Sequence, residues 1–324
     1  MTSGFKRYKR GLVFCLLSVL LVSTKGYTLD KKVSLSLSHF ITALMYDRLG
    51  DIDRAIQEYK KALKVDYKNS TIHLNLASSY IKKNELDKAI DELDLTINFD
   101  PEAVEPHAIL GLLYSAQNKV DAASREYEIA LQNASKLQPE NIDIYKTLGI
   151  IYLGQKKLQA AEDTYRLILK LSPDNAEAHF YLGSIYNELK NNVLAEKELQ
   201  RALELKPDYA EALNFLGYLY VEENRDLDQA ELMIKKALEI EPANGAYIDS
   251  LGWLYFKKGK LEEAIKELER ACNLIDDAVV YDHLGDAYFK INNIENAKLN
   301  WRESLKLDPN QDKVKKKIEA LRNN

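Results

Sequence analysis

Five histidines are the first residues to consider for chemistry, because a neutral imidazole can bind a metal ion or carry a proton near neutral pH. Four of them, His39, His73, His107 and His179, recur at intervals of 34, 34 and 72 residues. Residues that recur at long regular intervals lie on successive structural units, whereas metal ligands must converge on one ion. The spacing therefore favours packing histidines, and no metal site is predicted.

Other catalytic signatures are absent from the sequence. It contains no His-Glu-x-x-His motif, nucleophile elbow, phosphate-binding loop or dinucleotide fingerprint. Asp and Glu are abundant, but carboxylates on exposed helix faces lack the enclosing pocket that would shift their pKa values. Cys272 is expected to be a small core residue, and Cys15 lies in an apolar run. We therefore predict no catalytic residue and no cofactor.

Internal repetition dominates the elements that must position any site. Eight copies align on a small residue, with spacings of 34, 34, 38, 34, 34, 35 and 33 residues, and tyrosine follows three residues later in every copy. These small residues are Ala43, Ala77, Gly111, Gly149, Gly183, Gly217, Gly252 and Gly285. Each copy also has an alanine further along, namely Ala55, Ala89, Ala123, Ala161, Ala195, Ala230, Ala264 or Ala297.

A large residue stands four positions after each of these alanines, for example Leu268 after Ala264 and Trp301 after Ala297. The i, i+4 spacing places the small and the large residue on one helix face. Six copies end at a proline, which stops a helix. Each copy is therefore predicted to form two short amphipathic helices that bury their apolar faces by stacking on neighbouring copies.

This pattern resembles the tetratricopeptide repeat. The resemblance implies an all-α fold, a right-handed α-solenoid of about eight helix-turn-helix repeats with a C-terminal capping helix. The first copy departs from the pattern, since Thr42 and Ala43 stand where Leu-Gly is expected. The predicted repeats cover residues 36–69, 70–103, 104–141, 142–175, 176–209, 210–244, 245–277 and 278–311, after a lead-in at 27–35 and before the cap at 312–324.

Residues 1–26 have the layout of a secretory signal peptide, since a basic cluster at 6–10 precedes an apolar run at 12–22 and small residues at 24 and 26. Eleven apolar residues span about 16 Å of helix against about 30 Å of hydrocarbon, so a membrane anchor at 11–23 is the weaker alternative. Cleavage would leave 40 Lys and Arg against 50 Asp and Glu, a net charge of −10. We predict an exported, periplasmic or secreted protein that does not bind nucleic acid.

The resemblance also implies that the first helix of each repeat lines a concave groove. In the later copies its groove positions carry aromatic, amide and acidic side chains, which suit an extended or helical protein segment with apolar and basic side chains. The predicted partner-binding residues are Phe180, Asn187, Asn214, Tyr218, Asp249, Trp253, Phe256, Asp282, Asp286 and Phe289. Glycan or lipid ligands stay open, because aromatic grooves can hold them, and so does packing of some of these aromatics between helices.

These features predict a non-catalytic protein-protein interaction scaffold or adaptor in the cell envelope. The alternative is a recruiting or regulatory subunit of an enzyme, or of a polysaccharide or protein export complex, that acts in trans. Outside the repeats, the sequence leaves little room for a catalytic domain.

Overall fold

The computed structural model of the chain describes residues 31–321, and the predicted signal segment lies outside them. This range forms seventeen α-helices and contains no β-strand, which confirms the predicted all-α repeat fold. In chain order the helices are α1 (Lys31–Arg48), α2 (Ile52–Val65), α3 (Ser70–Lys82), α4 (Leu86–Phe99), α5 (Glu105–Ala116), α6 (Val120–Leu137), α7 (Ile142–Gly154), α8 (Leu158–Leu171), α9 (Ala176–Glu188), α10 (Asn192–Leu205), α11 (Ala210–Glu222), α12 (Leu227–Ile240), α13 (Gly245–Lys257), α14 (Leu261–Cys272), α15 (Ala278–Lys290), α16 (Ile294–Leu307) and α17 (Asp312–Ala320).

The first sixteen helices form eight pairs, and each pair turns on one residue with a positive φ between 52° and 79°. This left-handed conformation suits glycine and asparagine, which hold six of the eight positions. The turn residues are Gly50, Asn84, Asn118, Lys156, Lys190, Asn224, Gly259 and Asn292. The same left-handed turn therefore also forms in the six copies that have no glycine at this position.

Asparagine also starts several first helices. The side-chain oxygens of Asn69, Asn141, Asn175 and Asn244 accept hydrogen bonds from backbone N–H groups in the first turns of α3, α7, α9 and α13. These caps satisfy donors that have no partner inside the helix.

Within each pair, the predicted contact between small and large residues forms the core. The eight repeat alanines from Ala55 to Ala297 are at most 3 % exposed. A Cβ atom added to Gly252 would lie 2.7 Å from Leu268 Cγ, and one added to Gly285 would lie 2.4 Å from Trp301 Cδ1. The glycines are therefore required because the large side chain of the second helix rests directly on the backbone of the first.

The described residues divide into two compact units, 31–133 and 134–321. The division falls inside α6, which has 18 residues where α4 has 14. The four extra residues of the third copy thus lengthen its second helix.

The four regularly spaced histidines each pair with a glutamate 19 residues later. The distance from histidine Nδ1 to glutamate Oε2 is 2.6 to 2.7 Å in every case. The pairs are His39 with Glu58, His73 with Glu92, His107 with Glu126, and His179 with Glu198. Each pair joins the two helices of one repeat, so these histidines act in packing.

His73 should make the stability of the fold depend on pH. Burial of its ring lowers its pKa, but hydrogen bonds to Glu92 and to the Tyr67 carbonyl oxygen outweigh burial and raise the pKa above 6.5. A raised folded pKa stabilises the protein fully below about pH 6.5, and this contribution disappears as the pH rises through the folded value. We expect His73→Gln to lower the melting temperature more at about pH 5.5 than at about pH 9. Glu92→Gln should show the same trend, and an equal loss at both pH values would contradict it.

Candidate partner-binding groove

The ten predicted groove residues lie on the first helices of four successive repeats, α9, α11, α13 and α15. On α9, the Phe180 ring packs among Tyr181, Tyr209 and Phe215, with ring centroids 5.1 to 6.2 Å apart. Asn187 is half-buried on the same helix. Six of the other eight residues line two pockets, and Trp253 and Asp282 lie beside them without lining either.

The first, which we call the amide pocket, encloses about 240 Å³. Its walls come from α11, α13, the start of α15 and the loop before α15. They consist of Asn214, Phe215, Tyr218, Ala246, Asp249, Ser250, Ile275, Asp277, Val279 and Val280. The lining is mostly apolar, with a few polar groups that can orient a ligand.

Asn214 carries a buried polar atom of this pocket that has no hydrogen-bond partner. Its Oδ1 atom is buried and accepts no hydrogen bond from any residue in the described range. A buried acceptor without a partner costs about 1–3 kcal/mol, so such groups in native proteins need an explanation. Beside it, burial and the nearby Glu222 and Asp249 carboxylates raise the pKa of the Tyr218 hydroxyl. Tyr218 therefore stays a neutral phenol at physiological pH.

The structure buries Asp249 and Trp253, although residues that line an open groove are expected to be exposed. Asp249 is 7 % exposed, and both of its carboxylate oxygens lie near His283 Nδ1, at 2.9 and 3.2 Å. Trp253 is 8 % exposed, because its ring stacks on His283 at 4.0 Å and on Phe256 at 4.7 Å. Its indole N–H donates to Glu222 Oε1 at 2.7 Å. Asp249 thus lines the amide pocket, while Trp253 holds α11, α13 and α15 together.

The second pocket, the cap pocket, encloses about 380 Å³ between α13, α15, α16 and α17. Its lining residues are Phe256, Asp286, Phe289, Lys290, Trp301, Lys317, Ala320 and Leu321. Phe289 is 46 % exposed at this site. An aromatic or aliphatic side chain of a partner could occupy the pocket.

Lys317 on α17 neutralises the acidic residues beside the cap pocket. Its ammonium group lies 2.7 Å from Asp282 Oδ1 and 2.6 Å from Asp286 Oδ1. Burial raises the pKa of Asp286, although Lys317 and the Trp301 N–H, which donates at 3.1 Å, oppose this shift. The expected attraction of basic partner groups to these two carboxylates is therefore weakened by a lysine of the chain itself.

The sequence does not predict twelve of the eighteen residues that line the two pockets, and three of them show why. Phe215 follows directly after Asn214 on a helix that is predicted to line the groove. Its position next to a predicted groove residue could therefore have indicated its role. Ile275 lies in the loop after α14, and Lys317 lies on the capping helix. No local pattern marks either residue, because each reaches its pocket only through packing between repeats.

The described range offers no sign of metal or thiol chemistry. Between residues 31 and 321, no group of three or more His, Cys, Asp or Glu side chains could hold a metal ion. Cys272 is half-buried, and burial raises the pKa of its thiol to about 12, which keeps it protonated and unreactive. None of the helices α1 to α17 is long and apolar enough to cross a membrane.

Comparison with known proteins decides the family. Models described as tetratricopeptide repeat match residues 48–113, 110–176, 148–210, 210–244, 247–277 and 278–311. The chain belongs to the tetratricopeptide repeat family. Proteins of this family are generally non-catalytic scaffolds, and the fold supports protein-protein interaction.

Two solved structures share the fold. A tetratricopeptide repeat protein from Parabacteroides merdae is 20 % identical, with a TM-score of 0.58, and the match covers 77 % of this chain and 97 % of that one. The APC/C hetero-tetramer Cut9-Hcn1 is also 20 % identical with a TM-score of 0.58, and the match covers 88 % of this chain and 55 % of that one. No curated protein matches the sequence. At this identity the likeness shows the fold alone.

Proposed function

We propose that this tetratricopeptide repeat protein is a non-catalytic scaffold that holds a segment of another protein against α11, α13 and α15. The observation that carries the proposal is the unpartnered Oδ1 of Asn214 inside an apolar pocket. A backbone N–H of a bound chain supplies the donor that this oxygen lacks, and an apolar side chain fills the space beside it.

The size of the amide pocket favours a protein segment over a single drug-sized molecule. Pockets for drug-sized ligands usually enclose about 300–1,000 Å³. The amide pocket, at about 240 Å³, is smaller than this range, and the cap pocket, at about 380 Å³, falls at its lower end. Two small pockets on neighbouring repeats suit successive side chains of one chain. Glycans and lipids are the competing ligand classes. In either case a hydroxyl group of the ligand, and not a backbone N–H, would donate to the Asn214 oxygen.

Among the acidic residues of the two pockets, only those of the amide pocket can favour basic side chains of a partner. Asp249 already faces His283, and Lys317 already pairs with Asp282 and Asp286. Asp277 also lines the amide pocket, and its Oδ1 atom accepts a hydrogen bond from the Val279 backbone N–H at 2.7 Å. We expect a Lys or Arg of the partner to lie near Asp277.

The location that we propose is the cell envelope, on the strength of the signal-like residues 1–26. Mass spectrometry of the purified protein should give a mature N-terminus at Tyr27 or close to it. An N-terminus at Met1 or Thr2 would instead support an uncleaved anchor at residues 11–23.

A photo-crosslinking amino acid at Ala246 tests the binding site. Ala246 is exposed and lines the amide pocket, so we expect it to capture one discrete protein in cells. The matched control places the same amino acid at Val193, which is 79 % exposed on α10 and lines neither pocket. Equal labelling from both positions, or labelling of lipid or glycan alone, would contradict the proposal.

The identity of the captured chain separates the two functional classes. Capture of a structural or export component supports the scaffold. Capture of a catalytic chain whose activity changes on binding supports the alternative, a recruiting or regulatory subunit that acts in trans.

A further inference from the structure

The first helix carries an apolar outer face that no described residue covers. Along α1, Val33, Leu37, Ile41 and Met45 follow one another at intervals of four residues and are 47 to 59 % exposed. Leu49 continues this row just beyond the helix and is 74 % exposed. No Asp, Glu, Lys or Arg occurs between residues 33 and 46. A solvent-facing end of a repeat stack is normally polar, so this face has the composition of an interface.

Later repeats show what these positions normally do. In five of the seven later repeats the position of Met45 is held by a residue that is at most 4 % exposed, namely Ser79, Ile185, Leu219, Leu254 or Ala287. In the other two it is held by Leu113 and Ile151, which are half-buried. The position of Ile41 is held by Tyr181, which stacks on Tyr165 of the preceding repeat at 4.7 Å, and by His283, which stacks on Trp253. The C-terminal half of this face, at Ile41 and Met45, is therefore a stacking surface of the kind that internal repeats bury, whereas the position of Leu37 is exposed in six of the seven later repeats.

This face is shaped to fit a copy of itself. Beside the ridge of large residues runs a parallel row of small ones, Ser34, Ser38 and Thr42, also four residues apart. The Thr42 hydroxyl donates to the Ser38 carbonyl oxygen at 2.8 Å, so it can be buried without losing a hydrogen bond. When two helices pack, rows at i, i+4 of one fit between such rows of the other. An antiparallel pair of α1 helices places each ridge in the partner's row of small residues.

We propose that the chain forms a symmetric dimer through α1, with the helices antiparallel and Ile41 close to the two-fold axis. The helix dipole favours this arrangement, because Lys31 and Lys32 at the start of one helix come to the negative C-terminal end of the other. The side chains at that end add no net attraction, since Asp47 already pairs with Lys82 at 2.6 Å and Arg48 follows it. This inference is independent of the groove, and the dimer carries two grooves.

The exposed area is of the right order for a dimer. Half-exposed side chains at Val33, Leu37, Ile41, Met45 and Leu49 present on the order of 500 Å² per copy, and a standard interface takes about 800 Å² per partner once its polar rim is included. Head-to-tail association fits less well. The exposed face of α17 carries Lys313, Lys315, Lys316 and Glu319, which would leave charges buried against the apolar ridge.

The test is sedimentation of the purified chain, in the N-terminal form that mass spectrometry identifies. We expect twice the monomer mass at about 50 µM, and a dissociation constant at least about tenfold weaker for both Ile41→Glu and Ile41→Lys. Because the axis places Ile41 against its own copy, mixing the two variants should restore the dimer. Leu299→Glu, at a residue 55 % exposed on α16, is the matched control and should leave the dimer intact.

Ile41→Cys gives a second readout that does not depend on introducing a charge. Mild oxidation should join two copies through this residue, whereas Leu299→Cys should not form such a dimer. Four results would overturn the proposal: a wild-type monomer at about 50 µM, no restoration on mixing, dimers only after removal of residues 1–26, or Ile41→Glu changing only the binding to lipid vesicles. The third result would show that the chain's own N-terminal segment covers α1, and the fourth that a membrane does.

Discussion

Replacing Trp301 with alanine is expected to destabilise the last repeat by about 3–5 kcal/mol, the usual cost of deleting a buried tryptophan side chain. Trp301 is 2 % exposed and packs with Ala297 of its own helix and with Val314 and Ile318 of α17. Its ring rests directly on the backbone of Gly285. Deleting it leaves a cavity where α15, α16 and the capping helix meet.

The loss should stay local, because each repeat contacts only its neighbours and a repeat stack can therefore unfold from one end. Hydrogen exchange measured by mass spectrometry should show lost protection in α15, α16 and α17, and retained protection in α11 and α12. Trp301→Phe is the matched control. It keeps most of the volume and loses the hydrogen bond to Asp286, so the expected cost is about 1–2 kcal/mol. Uniform loss from residue 134 to residue 321 would contradict a local effect.

Sequence patterns predict the parts of this fold that repeat. Ala264 and Leu268 occur at a spacing that places both on one helix face, and the structure buries both and brings Leu268 against Gly252. The helix pairs and their tight packing follow from such local regularities, because the same contact recurs in each copy. The turn at Lys190 shows the limit, since its φ of 59° is imposed by the pair around it and not by the residue type.

The candidate site depends on residues that do not repeat, and sequence predicts them only in part. The position of Trp253 in its helix predicts a residue of the groove surface. Its burial depends on His283, which is 30 residues away and approaches only through the stacking of α13 and α15. Lys317 reaches Asp282 from a helix that lies outside the repeat pattern. Such contacts follow from the angle between neighbouring repeats, which no spacing along the chain specifies.

Replacing Asn214 with leucine is expected to have opposite effects on stability and binding. Leucine has a similar size and removes the buried Oδ1 that accepts no hydrogen bond, so the unbound protein should become more stable by up to about 1 kcal/mol. In the complex, the partner's N–H would face a methyl group. Losing that buried hydrogen bond costs about 1–3 kcal/mol, which corresponds to a roughly 5- to 150-fold weaker affinity.

Thermal unfolding of the free protein and titration with the segment captured at Ala246 measure the two effects separately. Asn300→Leu is the matched control, because it makes the same chemical change on α16 at a residue that lines neither pocket and is not among the predicted groove residues. Its affinity should stay within about twofold of wild type. If Asn214 had a structural role, its replacement would make the protein less stable and would weaken binding only because more of the protein is unfolded. Lower stability with unchanged affinity for Asn214→Leu would therefore remove Asn214 from the binding site, whereas higher stability with weaker binding is the result that only a ligand-directed amide produces.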